Sequence, residues 1–293
     1  MHSRSLLAAL LVSTLLVAQP SAQATKKHFL WSVTDSSGAV VHLMGSIHVL
    51  TPGFYPLSPE LEKTFEGSKV LVEELDLDEM NNPAALLPIL TKAMYADGAT
   101  LAQAIAPATY AEVKRRAETA GLPMMALDRM KPWMVAVALT APALKAAGFD
   151  TDLGIDKHFF DKAKETGKEV RALETMAYQL GQFDQLSPAM QELMLKETMA
   201  DLDTQVSNVK EVATAWAAGD IATIERVMLK DMQESPELYQ KLLVERNQNW
   251  IAPIETCLKQ NAGCIVVVGA AHLIGPHGVP TLLQKKGYKV EQK

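Results

Sequence analysis

The stretch Cys264-Ile265-Val266-Val267-Val268-Gly269-Ala270-Ala271-His272 decides how this chain is read. Its first five residues are all apolar and four are β-branched, the mark of a strand buried on both faces of a sheet. Gly269 lets the backbone turn sharply where that strand stops. His272 then falls just beyond the strand end, on the edge where open α/β sheets build their sites. The same form recurs near the other terminus. There Val40-Val41-His42-Leu43-Met44 runs into Gly45-Ser46-Ile47-His48. A third apolar strand, Val70-Leu71-Val72, ends in Glu73-Glu74-Leu75-Asp76. If the three strands are parallel neighbours, two imidazoles and a carboxylate meet at one edge.

Outward from these strands the chain sorts into sheet at both ends and helix between. His28–Thr34 and Ala39–Met44 read as a hairpin around Asp35-Ser36-Ser37-Gly38. Ser58, with Pro59 after it, starts a short helix to Glu66. Lys69–Leu75 is a strand. Pro83–Ala96 and Tyr110–Ala120 are amphipathic helices, Met124–Leu127 a short strand, and Trp133–Ala147 a buried helix. A helix over Asp156–Thr166 ends at Gly167, and Glu169–Leu173 follows as a strand. Thr175 to Cys257 is helical, with breaks at Ser187-Pro188, Gly219-Asp220 and Ser235-Pro236. Val279–Lys286 is a helix and Tyr288–Glu291 a last strand. The fold class is therefore α/β or α+β: a mixed sheet of N- and C-terminal strands with a large helical middle. No repeat or low-complexity segment interrupts it.

Residues 1–24 read as an address. Met1–Arg4 is positive, Leu6–Ala18 is apolar, and Ala22-Gln23-Ala24 offers small residues for cleavage. The apolar run is shorter than the ~20 residues of a spanning helix, and no longer one follows. The expectation is a secreted, periplasmic protein with one domain over residues 25–293 and no transmembrane segment. A net charge of −6 with no basic run argues against nucleic acid as a partner. The two cysteines, Cys257 and Cys264, lie close together. An oxidising compartment favours a disulfide between them, the alternative being two buried thiols.

The chemistry follows from the strand ends. His48, His272 and one carboxylate suit a divalent metal with open positions, which acidifies a bound water to a pKa of ~7. Glu74 is preferred as the carboxylate because it shares its strand face with Val72 and Val70. Glu73 points the other way, and reads either as a solvated or capping group or as the nearest general base. Arg246 has two readings. It either binds a substrate carboxylate or oxyanion, or it forms a buried ion pair with Glu174 or Asp156. Asp156 and Glu174 read as helix-start groups or as carboxylates behind a ligand histidine. His277 reads as a loop residue and His42 as packed in its strand. The methionines at 124, 125, 130 and 134 read as core filler.

These residues also resemble a known family. Phe29-Leu30-Trp31, Leu43-Met44-Gly45-Ser46-Ile47-His48, Glu74-Leu75-Asp76, Gly154-Ile155-Asp156, Leu173-Glu174-Thr175, Glu245-Arg246-Asn247 with Trp250, and Val268-Gly269-Ala270-Ala271-His272-Leu273 are similar to the TraB/GumN family of exported proteins, related to the Tiki metalloproteases. The likeness spans nearly all of the chain after residue 24. It implies that both G-x-x-H segments serve one site, with His48, Glu74 and His272 around a divalent metal: manganese, cobalt or zinc. Ser46 stands where Thr is common in that family. The function so implied is an exported metal-dependent hydrolase, a peptidase acting on a peptide or other small envelope substrate through a metal-activated water. Arg246 and Glu73 are its catalytic candidates. The alternatives are a non-catalytic haem- or metal-binding protein, for which an apolar pocket beside His48 or His272 is required, and an envelope partner-binding protein on the same scaffold.

Overall fold

The computed structural model describes residues 27–96, 98–200 and 202–293; the expected leader lies outside them. Among the described residues six strands form one mixed sheet: β1 (Leu30–Thr34), β2 (Val40–Ser46), β3 (Val70–Glu73), β4 (Glu169–Ala172), β5 (Cys264–Gly269) and β6 (Lys289–Gln292). Their order is β4-β3-β5-β2-β1-β6. β4, β3, β5 and β2 are mutually parallel neighbours, while β1 runs antiparallel to β2 and to β6. The three strands read from the sequence are thus adjacent, with β5 between β3 and β2. Their carboxyl ends open on one edge.

Register sets what that edge presents. Glu73, Val267 and Met44 stand in one line across the three strands, and Ser46 pairs with Gly269. Every residue of β5 is buried, so the sheet is covered on both faces there. The helices Ile155–Glu165 and Glu245–Lys259 supply cover through Phe159, Trp250 and Ile254. Each such large apolar side chain contributes roughly 1.5–3 kcal/mol on burial. Cys257, in the second helix, is disulfide-bonded to Cys264 at the start of β5. Trp216, from the helix Leu202–Ala218, donates its indole N–H to the Gly45 carbonyl at 2.6 Å.

The helical middle has an apolar cluster of its own, including Leu101, Val113, Leu127, Val135, Leu139 and Leu195. One expectation fails within it. Met124–Leu127 is a short helix, not a strand. Met, Met, Ala and Leu all favour helix and none is β-branched, and Asp128 N–H closes the turn on the Met124 carbonyl at 2.8 Å. Among the described residues no helix is long and apolar enough to cross a membrane.

Candidate functional site

β3 stops at Glu73, and the next residues keep pairing with the chain after β4. Leu173 N–H donates to the Glu73 carbonyl at 2.8 Å, and Glu174 N–H to the Glu74 carbonyl at 2.9 Å. Two carboxylates are thereby set side by side. Oε1 of Glu74 accepts from the Gly269 N–H at 2.7 Å, which ties β3 to the end of β5. Its Oε2 accepts from Arg246 Nη2 at 2.6 Å and from Gln179 Nε2 at 2.7 Å. Burial alone would raise the pKa of Glu74. The charges of Arg246 and His48 and the Gly269 N–H outweigh it and hold the carboxyl below its ordinary range.

Arg246 is the hub. Its Nε donates to both oxygens of Glu174 at 3.1 and 3.0 Å, and its Nη1 to the Leu242 carbonyl at 3.1 Å. The same Nη1 lies 3.2 Å from Nε2 of His272. Trp250 donates to Glu174 at 2.9 Å, and its ring lies tilted against that of His272 with centroids 4.4 Å apart. On the other side of His272, Nδ1 is 2.6 Å from Oδ1 of Asn247, whose Nδ2 donates to the His277 carbonyl at 2.8 Å. Burial lowers the pKa of His272 to about 3, so the ring is neutral. Nδ1 carries the proton.

His48 comes to the same place from β2. Its side chain is 61% exposed, and Nδ1 is 3.1 Å from Oδ1 of Asp156. The Asp156 carboxylate raises the His48 pKa to about 9. Gly154 makes this pairing possible. It brings the first turn of Ile155–Glu165 so close that a Cβ there would lie 2.5 Å from the His48 carbonyl oxygen. The convergence is measured best over Gly269. A Cβ on that glycine would sit 3.2 Å from Glu74 Oε1, 3.5 Å from His48 Nε2 and 3.5 Å from His272 Cδ2. The two histidines therefore border one small space.

A cleft of about 280 Å³ opens beside His48, lined by Ser46, Glu73, Asp156 and Gln179 among others. Glu73 is 1% exposed and neither of its oxygens has a hydrogen-bond partner; nor does Ser46 Oγ. Burial, then the nearby carboxylates of Asp156 and Glu74, push the Glu73 pKa well above the usual range. On the other side of His48 lies an apolar pocket of about 450 Å³, lined by Val212, Val227, Met228 and Leu243 and also bordered by Arg246 and His272.

The model of the TraB/PrgY/gumN family matches residues 29–292, which takes in every one of these side chains. The chain belongs to the TraB/PrgY/gumN family. It is 24% identical to the uncharacterized protein YbaP of Escherichia coli (strain K12) over 260 residues, 88% of this chain and 94% of that one. The corresponding protein of Shigella flexneri gives the same figures. An uncharacterized protein of Treponema pallidum (strain Nichols) is 20% identical over 283 residues, 92% of this chain and 84% of its own. No solved structure matches the chain.

In this TraB/PrgY/gumN chain the edge gathers His48, Glu74, His272, Glu73 and Arg246. Among the described residues no three His, Cys, Asp or Glu side chains are grouped tightly enough, as they stand, to hold a metal ion. Of the two readings of Arg246, the buried pair with Glu174 is present, and Glu74 joins it. Glu73 corrects one reading: it is neither solvated nor a cap but buried, because the helix Ile155–Glu165 covers that end of β3. The ring of His277 stands against Tyr239, and the residue meets the site only through its carbonyl. Asn247 lies in a segment that carries the family likeness, yet sequence reasoning assigns no role to it or to Gln179; their roles show only once His272 and Glu74 are brought to them.

Proposed function

We propose that this protein is an exported, metal-dependent hydrolase acting on a peptide or another small envelope substrate. The supporting observation is the convergence of His48 Nε2, Glu74 Oε1 and the His272 ring over the bare face of Gly269, beside a guanidinium. The donor set suits manganese, cobalt or zinc. Glu74 Oε1 and His272 Nε2 are 3.9 Å apart, a span that two ligands of one ion can have when each bond is ~2.1 Å. Asn247 holds the far nitrogen of His272, and Asp156 that of His48, as ligand histidines require. Two changes complete the set: Arg246 Nη1 releases the lone pair of His272, and His48 gives up its proton.

Such an ion supplies a Lewis acid for a carbonyl and acidifies a water to a pKa of ~7. The chain's own groups do the rest. Arg246 borders the apolar pocket and faces the negative charge that develops on a carbonyl oxygen. Glu174 and Trp250 keep it in place. The apolar pocket holds a side chain of the substrate and keeps water from it. The test is metal content after adding manganese, cobalt or zinc, run with a peptide-cleavage screen on the native chain, His48→Ala and His272→Ala. One ion per chain, lost with cleavage in both variants, supports the reading. Cleavage that persists under chelation moves the chemistry to the His48–Asp156 pair and removes the metal.

One observation favours a second reading, haem capture without turnover. The apolar pocket is bordered by both His48 and His272. A Soret band that forms on adding haem and is lost in His48→Ala, with no peptide cleavage, would replace the hydrolase.

A further inference from the structure

The cations of the cleft, His48 and Lys157, and Arg246 beside them already have carboxylates. His48 meets Asp156, Arg246 meets Glu74 and Glu174, and Lys157 meets Asp161. Among the buried carboxyls there, Glu73 is the one left without a cation. Both of its oxygens are buried and unbonded, and so is the hydroxyl of Ser46. Glu73 lines up with Val267 and Met44, and Ser46 is two residues beyond Met44, so Glu73 and Ser46 face the same side of the sheet. Both line the cleft that Asp156 and His48 share. A buried carboxyl and hydroxyl without protein partners are costly, and a water, an ion or a ligand is needed to complete them.

The chemistry of that ligand can be narrowed. It must donate hydrogen bonds to a carboxyl and a hydroxyl, and a positive charge on it supplies the counter-ion that Glu73 lacks. A metal bound through Glu73 is a poor match, because bonds of ~2.1 Å need donors packed closely around one point. An ammonium offers three donors at ~2.9 Å, so it reaches oxygens that stand further apart. The apolar pocket across His48 is the right neighbour for an aliphatic or aromatic group on the same molecule.

We propose that Glu73, Ser46 and Asp156 seat the free ammonium of an amino-terminal residue whose apolar side chain enters the adjoining pocket. Glu73 is then a substrate anchor and not the general base expected from the sequence. The inference takes from the hydrolase reading only the idea that the bound amine is a substrate.

The test is calorimetric binding of leucinamide and of N-acetyl-leucinamide to the whole chain, with and without manganese. Leucinamide should bind at least tenfold more tightly than its acetylated form. That preference should vanish in Glu73→Gln and fall severalfold in Ser46→Ala. Equal binding of the two probes, binding of neither, or a preference that survives in folded Glu73→Gln overturns the proposal. The comparison of probes on the native chain needs no variant to fold, and Ser46→Ala serves if Glu73→Gln does not. Metal content and peptide cleavage are scored separately. Amine selectivity without cleavage sinks only the hydrolase, and cleavage of acetylated peptides without amine selectivity sinks only the anchor.

Discussion

Nη1 of Arg246 stands 3.2 Å from Nε2 of His272, and a guanidinium can only donate, so that nitrogen of His272 carries a lone pair. With Asn247 Oδ1 at 2.6 Å on the other side, the ring is locked as the Nδ1–H tautomer. Nitrogen-15 NMR of the histidine rings reads this directly. One neutral imidazole protonated at Nδ1, lost in His272→Gln, is the expected spectrum. An Nε2–H ring at His272 would contradict the network.

Arg246 also neutralises two buried carboxylates, Glu74 and Glu174, within a single fork. Arg246→Leu strands both charges away from water. Removing one partner of a buried pair costs about 3–5 kcal/mol, so a loss of that order is expected in denaturant unfolding at pH 7. Arg246→Lys should recover little of it, since one ammonium cannot span Glu74, Glu174 and the Leu242 carbonyl together. A loss below about 1 kcal/mol for Arg246→Leu, small beside the cost of an unpaired buried charge, would mean that the hub is not structural.

The strands behind these residues were legible because their composition is unambiguous. Ile265 to Val268 leaves little choice but a buried strand, and the glycine after each strand announces the turn. The pairing of Arg246 with Glu174 could be weighed but not decided, since 72 residues separate them and only the fold closes that gap. Glu73 shows the limit more sharply. Strand alternation put it on the face opposite Glu74, but nothing local says what covers that face. The cover comes from a helix some 80 residues on, and it turns a surface-looking carboxylate into one of the least exposed groups in the chain. Met124–Leu127 is ambiguous for a different reason: four apolar residues between breaks satisfy either period, and only side-chain branching separates the two.

A pH response comes from a clamp on the helix that also carries Asp156. Glu62, in the helix Pro59–Gly67, bonds Lys162 at 2.6 Å and meets His158 at 2.9 Å, both on Ile155–Glu165. Burial alone would raise its pKa, but the bonds to Lys162 and His158 outweigh that and hold it below its ordinary 4.5. A carboxylate depressed in the fold contributes stability above its unfolded pKa and loses it as pH falls through the folded value. Glu62→Gln should therefore cost a few tenths to about 1 kcal/mol at pH 7, the scale of a part-exposed ion pair. It should cost progressively less below pH ~4.5. Unfolding curves from pH 7 to pH 3 check the sign, and a penalty that grows on acidification would refute the clamp.

The disulfide between Cys257 and Cys264 joins the helix that carries Arg246 to the strand that leads to His272. Their spacing of 7 residues closes a short loop, for which the chain-entropy relation gives roughly 2–3 kcal/mol. Reductant, or the double change Cys257→Ser with Cys264→Ser, should lower stability by that amount. The reduced chain should also expose Trp250 and broaden the His272 resonance, because Cys264 opens the strand that leads to His272 and Cys257 stands about two turns beyond Trp250 on its helix. A melting curve indifferent to reductant would remove the disulfide from the account of stability.

The two G-x-x-H glycines can be told apart by a single methyl group. At Gly45 a Cβ would strike the ring of Phe29 and approach the Ala270 Cα to 3.2 Å, in the packed core. At Gly269 the backbone is ordinary, with φ −49° and ψ 135°. There the three atoms nearest the Cβ would belong to Glu74, His272 and His48, the nearest at 3.2 Å. Gly45→Ala should thus destabilise by about 1–3 kcal/mol through overpacking. Gly269→Ala should change stability by less than about 1 kcal/mol. It should nonetheless abolish metal uptake and cut any hydrolysis at least a hundredfold, because the methyl fills the space the three donors share. Thermal melts and metal content measured on both variants separate the two effects. If Gly269→Ala keeps its metal, the space above that glycine is not where the ion sits. If it instead unfolds like Gly45→Ala, the glycine serves packing, and the two halves of the motif do the same job after all.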